Sequence, residues 1–288
     1  MRAIMQCEAR LHSDIAMENP ISRSYLFVPA TRIDRVPKAL ASGADAVIVD
    51  LEDAVAPAHK GSARDALAHA SQNAQSVFVR VNGPDTEWFE DDLKLCGDLG
   101  VFGVVVPKSE TQDQMRHASS RMRSGAILLP LVETARGYAN IAELCAAPGV
   151  QRLVFGSIDF QLDLGITGEH EELLYFRSGL VLASTLARIQ PPVDGVTVDI
   201  DNVERVKDET RYAKRLGFGG KLCIHPNQIV VVNQCFSPSA EEVAWAKRVL
   251  DAAGAADGGA VQVDGKMVDR PVLLRVQAIL RESQRSSG

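Results

Sequence analysis

The stretch "AILLPLVETARGYANIAELCAAPGVQRLVFGS", residues 126–157, decides the fold of this chain. Two short apolar runs, 126–133 and 152–157, flank a segment at 137–146 in which apolar residues recur at helical spacing. The runs are continuously apolar and do not alternate with polar residues, which is typical of strands buried on both faces. A strand, a helix and a second strand within about 30 residues predict a βαβ unit with parallel strands.

The same unit recurs along most of the chain. Eight β-rich apolar runs span residues 24–29, 46–52, 76–82, 103–108, 126–133, 152–157, 195–200 and 220–226. Segments with helical spacing lie between them, at residues 34–42, 59–75, 113–123, 137–146, 171–189 and 203–216. Eight strands that alternate with helices predict a (β/α)8 TIM barrel in preference to an open doubly wound sheet. No GxGxxG or GxxxxGKS/T motif follows these runs, which argues against a nucleotide-binding fold.

The two ends of the chain fall outside this pattern. Residues 1–22 carry three acids and no long apolar segment, so we interpret them as an N-terminal tail ahead of a barrel domain at 23–236. Residues 237–288 form a C-terminal extension, which we expect to pack on a neighbouring subunit because a barrel does not need it. Its predicted parts are a helix at 240–252, a Gly/Ala-rich stretch, a hairpin with its turn at Asp264 and Gly265, and a last helix at 271–282.

Composition excludes several classes of function. The net charge is -6 and no block of five or more Lys or Arg occurs, so we expect no nucleic-acid partner. No apolar segment approaches the roughly 18 residues of a membrane span, so we expect no membrane partner. Five scattered cysteines without a CxxC pair predict reduced, buried side chains in a cytoplasmic protein, with a reactive thiol as the alternative.

Polar side chains close most of the apolar runs. In a TIM barrel the carboxyl ends of all the strands lie on one face, which carries the active site. A merely solvated rim is the alternative for any single residue, but the set is unusually polar and mixed in sign. Its members are Pro29, Glu52, Asp53, Arg80, Asn82, Lys108, Glu133, Asp159, Asp199 and His225.

Glu133 and Asp159 close consecutive runs and are candidate metal ligands. Two carboxylates with open positions suit Mg²⁺, which prefers oxygen ligands, retains waters and takes one or two protein carboxylates plus substrate oxygens. No His/Cys cluster with zinc spacing competes with this interpretation. The alternative for Asp159 is that it caps the following helix.

Arg80 is the candidate anion-binding residue, because a guanidinium grips a carboxylate through two parallel hydrogen bonds. Its alternative is an ion pair with Glu52 or Asp53. Lys108 fits a cation that balances the acidic rim. His225 could act as an acid or base, or it could orient its neighbours.

Eight motifs in register resemble one family. They are "YLFVPATR", "DAVIVDLEDAV", "VFVRVNG", "GVVVPK", "LLPLVETARG", "FGSIDFQLDLG", "GKLCIHPNQI" and "GKMVDRPV". Together they resemble the citrate lyase beta subunit-like family of the HpcH/HpaI aldolase/citrate lyase superfamily, which includes malyl-CoA and citramalyl-CoA lyases. The likeness runs from about Arg23 to Leu280, nearly the whole chain.

The resemblance implies a Mg²⁺-dependent carbon-carbon lyase that acts on a CoA thioester and a 2-keto acid. It implies that Glu133 and Asp159 bind the metal, that Arg80 binds the keto acid's carboxylate, and that Glu52 contacts metal-bound water or holds Arg80. Asp269 matches the C-terminal aspartate proposed as acid/base, supplied by a neighbouring subunit. We also expect Gly156 and Ser157 to contact the keto acid through backbone donors.

The same resemblance implies a homo-oligomer, a trimer or a hexamer. The full C-terminal segment favours a free-standing CoA-thioester enzyme. One alternative is a citrate lyase beta subunit, which would convert a citryl thioester on an acyl carrier protein to oxaloacetate. The other is a metabolite-binding homologue without catalytic activity, against which the intact acid pair and Arg80 argue.

Overall fold

Eight parallel strands close into a barrel, in which β1 pairs with both β2 and β8. The computed structural model describes residues 21–255 and 261–285. The predicted TIM-barrel-like α/β fold is confirmed. The barrel strands are β1 Ser24–Pro29, β2 Ala46–Asp50, β3 Phe78–Arg80, β4 Gly103–Val106, β5 Ile127–Val132, β6 Val154–Phe155, β7 Val193–Asp194 and β8 Gly220–Cys223.

The alternation of side chains along each strand separates two cores. Tyr25, Ile48, Phe78 and Leu129 belong to the cluster inside the barrel, whereas their sequence neighbours pack outward against the helices. Since side chains repeat every second residue, the interior face of each strand leads to a defined residue at its carboxyl end. Those end residues are Asp50 on β2, Arg80 on β3 and Glu133 directly after β5.

Helices cover the barrel and form most of the C-terminal part. They are α1 Val36–Leu40, α2 Lys60–His69, α3 Phe89–Leu99, α4 Gln112–Arg121, α5 Ala135–Ala139, α6 Ile141–Cys145, α7 Ser157–Leu164, α8 Glu171–Leu186, α9 Val203–Leu216, α10 Asn227–Phe236, α11 Ala240–Ala255 and α12 Arg270–Arg285, with 3-10 turns at Ala30–Arg35, Pro57–His59 and Ser71–Ser76. Within the described ranges, no helix has the length and apolar character needed to cross a membrane.

One predicted helix is divided in two. The segment expected at 137–146 starts at Ala135 and breaks at Asn140, which separates α5 from α6. Asn140 leaves helical geometry, and its side-chain amide donates to the carbonyl of Glu110 over 2.8 Å. The side-chain bond to another loop thus replaces helix continuity at this position.

The seventh strand was predicted in the wrong place. The run at 195–200 is not a strand, and β7 is the preceding Val193–Asp194, where both side chains are buried. Val198 and Ile200 are exposed, so their alternation imitates a half-buried strand. Asp194 is fixed by a buried cluster in which it accepts from Arg177 Nε over 3.1 Å and from Lys221 Nζ over 3.2 Å.

The chain divides into two compact units, of which residues 22–244 contain the barrel. The predicted barrel boundary at 236 therefore falls eight residues before the end of that unit. The second unit has its own apolar cluster, built around Val249, Val263, Val268 and Val276. The predicted tail lies outside the described residues except for its last two.

The C-terminal unit contains the expected hairpin. Strands β9 Val261–Val263 and β10 Lys266–Val268 pair antiparallel through the turn at Asp264 and Gly265. Both turn residues have positive φ, 51° and 74°, which is the geometry that Asp-Gly favours in a tight hairpin. Helix α12 follows the hairpin directly and packs on it through Val276.

Candidate active site

A cavity of about 460 Å³ lies among residues at the carboxyl ends of the barrel strands. It brings together five residues that the sequence predicted for the site: Arg80, Glu133, Gly156, Ser157 and Asp159. The lining also includes the aspartates of β2 and the loop after it, together with apolar side chains. The full lining is Phe27, Pro29, Asp50, Asp53, Ala54, Arg80, Leu131, Glu133, Phe155, Gly156, Ser157, Ile158, Asp159, Val196, Leu222 and Ile224.

Arg80 is held by Asp50, a residue that the sequence interpretation did not include in the site. The two residues face each other in the register of β2 and β3. Arg80 Nε donates to Asp50 Oδ1 over 2.8 Å, and Nη2 donates to Oδ2 over 2.7 Å. The predicted alternative partners are secondary, because Glu52 lies 3.1 Å and Asp53 3.8 Å from Nη1. The paired hydrogen bonds expected for substrate are thus made with Asp50, and the Nη1 side that remains for a ligand also faces Glu52 and Asp53.

The surroundings of Arg80 keep its side chain charged and fixed. Burial alone would lower the pKa of Arg80, but the hydrogen bonds and charge of Asp50 and the charge of Glu52 raise the pKa above its ordinary value. The guanidinium also lies over the ring of Phe27, 4.9 Å from its centroid. Asp50 additionally accepts from the backbone N–H groups of Glu52 and Ala54, so one carboxylate orders both the cation and the loop after β2.

Glu133 is a buried carboxylate with one oxygen in a fixed hydrogen bond. Its Oε1 accepts from the backbone N–H of Lys108 over 2.8 Å. Burial raises the pKa of Glu133 to about 8, and the charges of Glu52 and Asp159 add to this shift. The influence of Asp159 means that the two predicted metal ligands are electrostatic neighbours. A cation between them would relieve the repulsion.

Asp159 lies in the first turn of α7 and is not the helix cap. The cap position belongs to Gly156, and no side chain makes a capping hydrogen bond there. The capping alternative for Asp159 is therefore wrong. Its half-buried carboxylate lines the cavity, which leaves it available to a ligand.

Gly156 is required by the position of Glu133. A Cβ atom on Gly156 would lie 2.5 Å from Glu133 Oε2 and 2.6 Å from Glu133 Cβ, which is closer than real Cβ contacts. The absence of a side chain after β6 therefore allows the carboxylate from β5 to take its position.

We expect Gly156→Ala to weaken Mg²⁺ binding by about tenfold or more, because a displaced carboxylate costs affinity as a displaced outer partner does. Isothermal titration with Mg²⁺ measures this effect. The matched control is Gly61→Ala in helix α2, where an added Cβ would meet no atom within 4 Å. Gly125 is less suitable, because its φ of 83° would strain any other residue. Unchanged Mg²⁺ affinity in Gly156→Ala would contradict the placement of Glu133 as a ligand.

Two lysines hold Glu52 and the loop around it. The sequence predicted Lys108 as a balancing cation but left out Lys60. Glu52 Oε1 accepts from Lys108 Nζ over 3.0 Å, and Lys108 has a left-handed backbone with φ 45°. Lys60 is buried and donates from Nζ to the carbonyls of Leu51 and Glu52 over 2.8 and 2.7 Å. Burial raises the pKa of Glu52 against the opposing charge of Arg80. The loop after β2 is thus fixed from both sides.

The donor set fits a hard divalent cation. Glu133 and Asp159 offer two carboxylates, which is the number that Mg²⁺ takes from a protein when water and substrate complete its shell. Among the described residues, no group of three or more His, Cys, Asp or Glu could hold a metal by itself. Glu52 Oε2 is buried without a hydrogen-bond partner, although Arg80 Nη1 is 3.1 Å away. Such an oxygen is suited to accept from water at a metal site.

Two other predicted residues of the barrel unit lie outside the cavity lining, and a third belongs to the C-terminal unit. Asp199 forms an ion pair with Arg205, at 2.7 Å from Nη1. His225 is absent from the cavity lining, and its Nδ1 accepts from the N–H of Asn227 over 3.2 Å, which favours the orienting role over the acid/base role. Asp269 belongs to the C-terminal unit, where its Oδ1 accepts from the N–H of Val272 over 3.2 Å in the first turn of α12.

The cysteines in the described part of the chain lack the low thiol pKa of a nucleophile. Cys96, Cys145 and Cys223 are buried free thiols. Burial raises the pKa of Cys145 to about 11 and that of Cys223 to about 12, so both stay protonated at neutral pH. This favours the filler interpretation over a reactive thiol, while Cys7 lies outside the described residues.

Known proteins share this sequence and fold. The model of the HpcH/HpaI aldolase/citrate lyase family matches residues 23–226. A citrate lyase subunit beta-like protein of Deinococcus radiodurans is 37% identical over 277 residues, which cover 90% of this chain and 96% of that protein.

Two solved structures are similar to this chain in fold as well as in sequence. The crystal structure of the protein CitE from Mycobacterium tuberculosis with magnesium, acetoacetate and coenzyme A has a TM-score of 0.82 and 35% identity, and the match covers 92% of this chain and 98% of that one. A citrate lyase beta subunit from the same organism, in complex with oxaloacetate and magnesium, has a TM-score of 0.69 and 33% identity over 76% of this chain and 98% of that one. With a matching family model over most of the barrel and a relative aligned along nearly its whole length, the chain belongs to the HpcH/HpaI aldolase/citrate lyase family of carbon-carbon lyases.

Proposed function

We propose that this protein is a Mg²⁺-dependent lyase that cleaves, or in reverse forms, a 3-hydroxyacyl-CoA such as malyl-CoA or citramalyl-CoA, giving an acyl-CoA and a 2-keto acid. The observation that carries the proposal is the placement of Glu133 and Asp159 with Arg80 in one cavity at the strand ends. The related CitE structure holds magnesium, a keto acid and coenzyme A together, which supports the same set of ligands here.

Glu133 and Asp159 would hold the Mg²⁺ ion. When bound, Mg²⁺ supplies Lewis-acid polarisation of the oxygen on the carbon that becomes the keto group. Arg80, held by Asp50, orients the keto acid's carboxylate through its Nη1 side. Backbone N–H groups of Ser157 and the residues after it lie at the start of α7, where a helix favours a negative charge. The N–H of Gly156 is already used, because it donates to the carbonyl of Val132 over 3.0 Å.

Cleavage moves one proton from oxygen to carbon without net change. The bond between the hydroxyl-bearing carbon and the thioester's α carbon breaks, and its electron pair stays on the α carbon as the enolate. The hydroxyl group releases its proton to solvent, the α carbon takes one from protonated Asp269, and solvent returns a proton to Asp269. In synthesis the same carboxylate removes that proton.

We expect Asp269→Asn to lower turnover by about 10² to 10⁴, the usual contribution of a general acid/base. Asparagine keeps the Oδ1 acceptor that Asp269 provides to Val272 N–H, so helix α12 should begin unchanged. Asp264→Asn in the hairpin turn is the matched control, and its turnover should stay at the parent value. Steady-state kinetics with isothermal titration of the CoA ester separates the effects. Equal loss of binding and turnover would remove Asp269 from the acid/base role.

We further propose that Asp269 acts on the barrel of a neighbouring copy, in a cytoplasmic homotrimer or hexamer. Exposed apolar side chains on α7 and α8 support burial in an oligomer, since Leu162, Tyr175 and Leu186 are each at least 73% exposed. Co-expression of Asp269→Asn with Glu133→Gln tests the arrangement. Mixed oligomers should recover activity, because some sites receive both intact residues. Two inactive variants that stay inactive together would assign Asp269 to its own chain.

The function itself is tested with a panel of CoA thioesters. We expect Mg²⁺-dependent release of a keto acid from malyl-CoA or citramalyl-CoA, which a chelator abolishes and added Mg²⁺ restores. Cleavage that is unchanged by the chelator would contradict the metal mechanism. Cleavage of citryl thioester on an acyl carrier protein, with no CoA ester accepted, would favour the citrate lyase beta subunit alternative, for which the relative that holds oxaloacetate is the supporting observation.

Mg²⁺ affinity should rise with pH up to about pH 8. Burial, helped by Glu52 and Asp159, raises the pKa of Glu133 to about 8, so below that pH the metal-free protein carries a proton that binding must expel. Each unit below pH 8 should therefore weaken the apparent affinity by up to about tenfold. Titration calorimetry at neutral pH in buffers of different ionisation enthalpy should show close to one proton released. An affinity that does not change between about pH 6 and pH 8 would show that Glu133 is already ionised.

A further inference from the structure

The lining of the site cavity has two chemically different parts. One part carries the predicted metal ligands Glu133 and Asp159 together with Arg80. The other is apolar and contributes no charged group, and its residues are Phe27, Pro29, Leu131, Phe155, Val196, Leu222 and Ile224.

The charged part has capacity for a single substrate carboxylate. Its four acids, Asp50, Asp53, Glu133 and Asp159, face one cation, Arg80, among the described lining residues. Arg80 already makes two hydrogen bonds with Asp50, so only its remaining N–H groups can receive an anion. Glu133 and Asp159 would share their charge with Mg²⁺, which would take the keto oxygen and the same carboxylate that Arg80 receives. A second carboxylate would then meet Asp50, Asp53 or the apolar wall, and either placement is unfavourable.

A neighbouring cation, Lys108, does not change this balance. Lys108 is outside the cavity lining, and its ammonium is 3.0 Å from Glu52 Oε1. Withdrawing it towards the substrate would leave Glu52, which is buried, with Arg80 as its remaining close cation. Because it is paired with Glu52, Lys108 is not available to bind a second substrate carboxylate.

Most of the apolar wall is fixed by the barrel. Leu131 on β5 and Leu222 on β8 belong to the interior cluster, and Phe27 on β1 packs against it. Side chains on barrel strands cannot move aside for a charged group as loop side chains can. Val196 is the exception, since it lies in the loop after β7 and is half-buried.

We propose that this cavity selects a 2-keto acid with one carboxylate and a small apolar substituent, and discriminates against dicarboxylic keto acids. The proposal rests on the proposed function and sharpens its substrate class. It assigns the substituent to the wall formed by Phe27, Leu131, Val196 and Leu222. The matching thioester is of the citramalyl type, in which the cleaved carbon carries an alkyl group.

Direct binding of keto acids to the Mg²⁺-loaded protein tests the selection without requiring turnover. Titration calorimetry should show that pyruvate binds about fourfold more tightly than glyoxylate, the value of one buried methyl group. The probe 2-oxobutyrate should bind at least as tightly as pyruvate. Oxaloacetate should bind about tenfold or more weakly than pyruvate, because its second carboxylate finds no cation.

A charge placed on the wall should reverse the preference. Val196→Lys adds an ammonium at the half-buried loop position and should strengthen oxaloacetate binding while weakening pyruvate binding, each by about tenfold. Val198→Lys is the matched control, because Val198 is in the same loop, is 53% exposed and does not line the cavity. Should Val196→Lys fail to fold, Val196→Ala serves instead, and it should weaken binding of 2-oxobutyrate more than that of glyoxylate.

Three outcomes would overturn the inference in different ways. Oxaloacetate binding as tightly as pyruvate in the presence of Mg²⁺ would refute the selection and leave the proposed lyase function standing. Binding of none of the four keto acids would refute the proposed function, and the selection would fall with it. Selectivity that Val196→Lys and Val198→Lys alter equally would show a general charge effect and would overturn the assignment of the wall.

Discussion

Replacement of Glu133 by Gln is expected to abolish Mg²⁺ binding and turnover together. Loss of an outer partner of a metal ligand already costs about 10- to 100-fold in metal affinity, so loss of the ligand itself should exceed 100-fold. The fold should survive, because the side-chain carbonyl of Gln can still accept from the N–H of Lys108. Titration calorimetry and a chelator-controlled cleavage assay measure the two effects.

Thermal unfolding separates this result from misfolding. Mg²⁺ should raise the melting temperature of the parent protein by mass action and leave that of Glu133→Gln unchanged. Without metal the variant should melt at or above the parent. Burial raises the pKa of Glu133 to about 8, so the metal-free protein must take up a proton on folding at neutral pH, and an amide removes that cost. Glu143→Gln, at an exposed position of α6, is the matched control. Retained Mg²⁺ binding in Glu133→Gln would exclude Glu133 as a ligand.

Replacement of Arg80 by Lys should lower kcat/KM by about 30-fold or more, which corresponds to about 2 kcal/mol for a buried charge contact. Lysine keeps the charge, but it lacks the planar guanidinium that bonds Asp50 through Nε and Nη2 while Nη1 points to another group. Asp50 also orders the N–H groups of Glu52 and Ala54, so its displacement would loosen the loop after β2. We expect most of the loss in the KM of the keto acid measured in the synthetic direction.

The control for this change is another arginine in a carboxylate pair. Arg64 contacts Asp92 over 3.3 Å and lies outside the cavity lining, so Arg64→Lys should leave kcat/KM near the parent value. Mg²⁺ affinity should be similar in both variants. A loss of Mg²⁺ affinity in Arg80→Lys, with keto-acid binding intact, would contradict the assignment of Arg80 to the substrate's carboxylate.

The barrel could be predicted because its strands are short, continuously apolar and separated by helices. Glu133, Arg80 and Asp159 could be chosen because an ionisable residue at or just beyond the end of a strand has few purely structural uses. Asp50 was missed because the run was followed to Glu52 and Asp53 at its end. The period of two along β2 would have found it, since Ala46, Ile48 and Asp50 share the interior face.

Lys60 could not be found in the same way. A lysine at the start of a helix is ordinarily solvated, and its burial depends on the fold of the loop after β2, which presents two carbonyl groups to it. The seventh strand was misplaced for a related reason. Its two buried residues are too few to form a pattern, whereas Val198 and Ile200 alternate on a loop.

Neighbouring strands of the barrel are paired over different lengths. β1 and β2 pair from Tyr25 to Pro29, whereas β6 and β7 pair only through Val154 and Val193. Native fluctuations that admit solvent should therefore begin at the seam between β6 and β7, where backbone amides would exchange their hydrogens first among the strands. A cation bound by Glu133 and Asp159 would link the end of β5 to helix α7, which follows β6. It would therefore stabilise the region next to the short β6–β7 pairing and slow hydrogen exchange there.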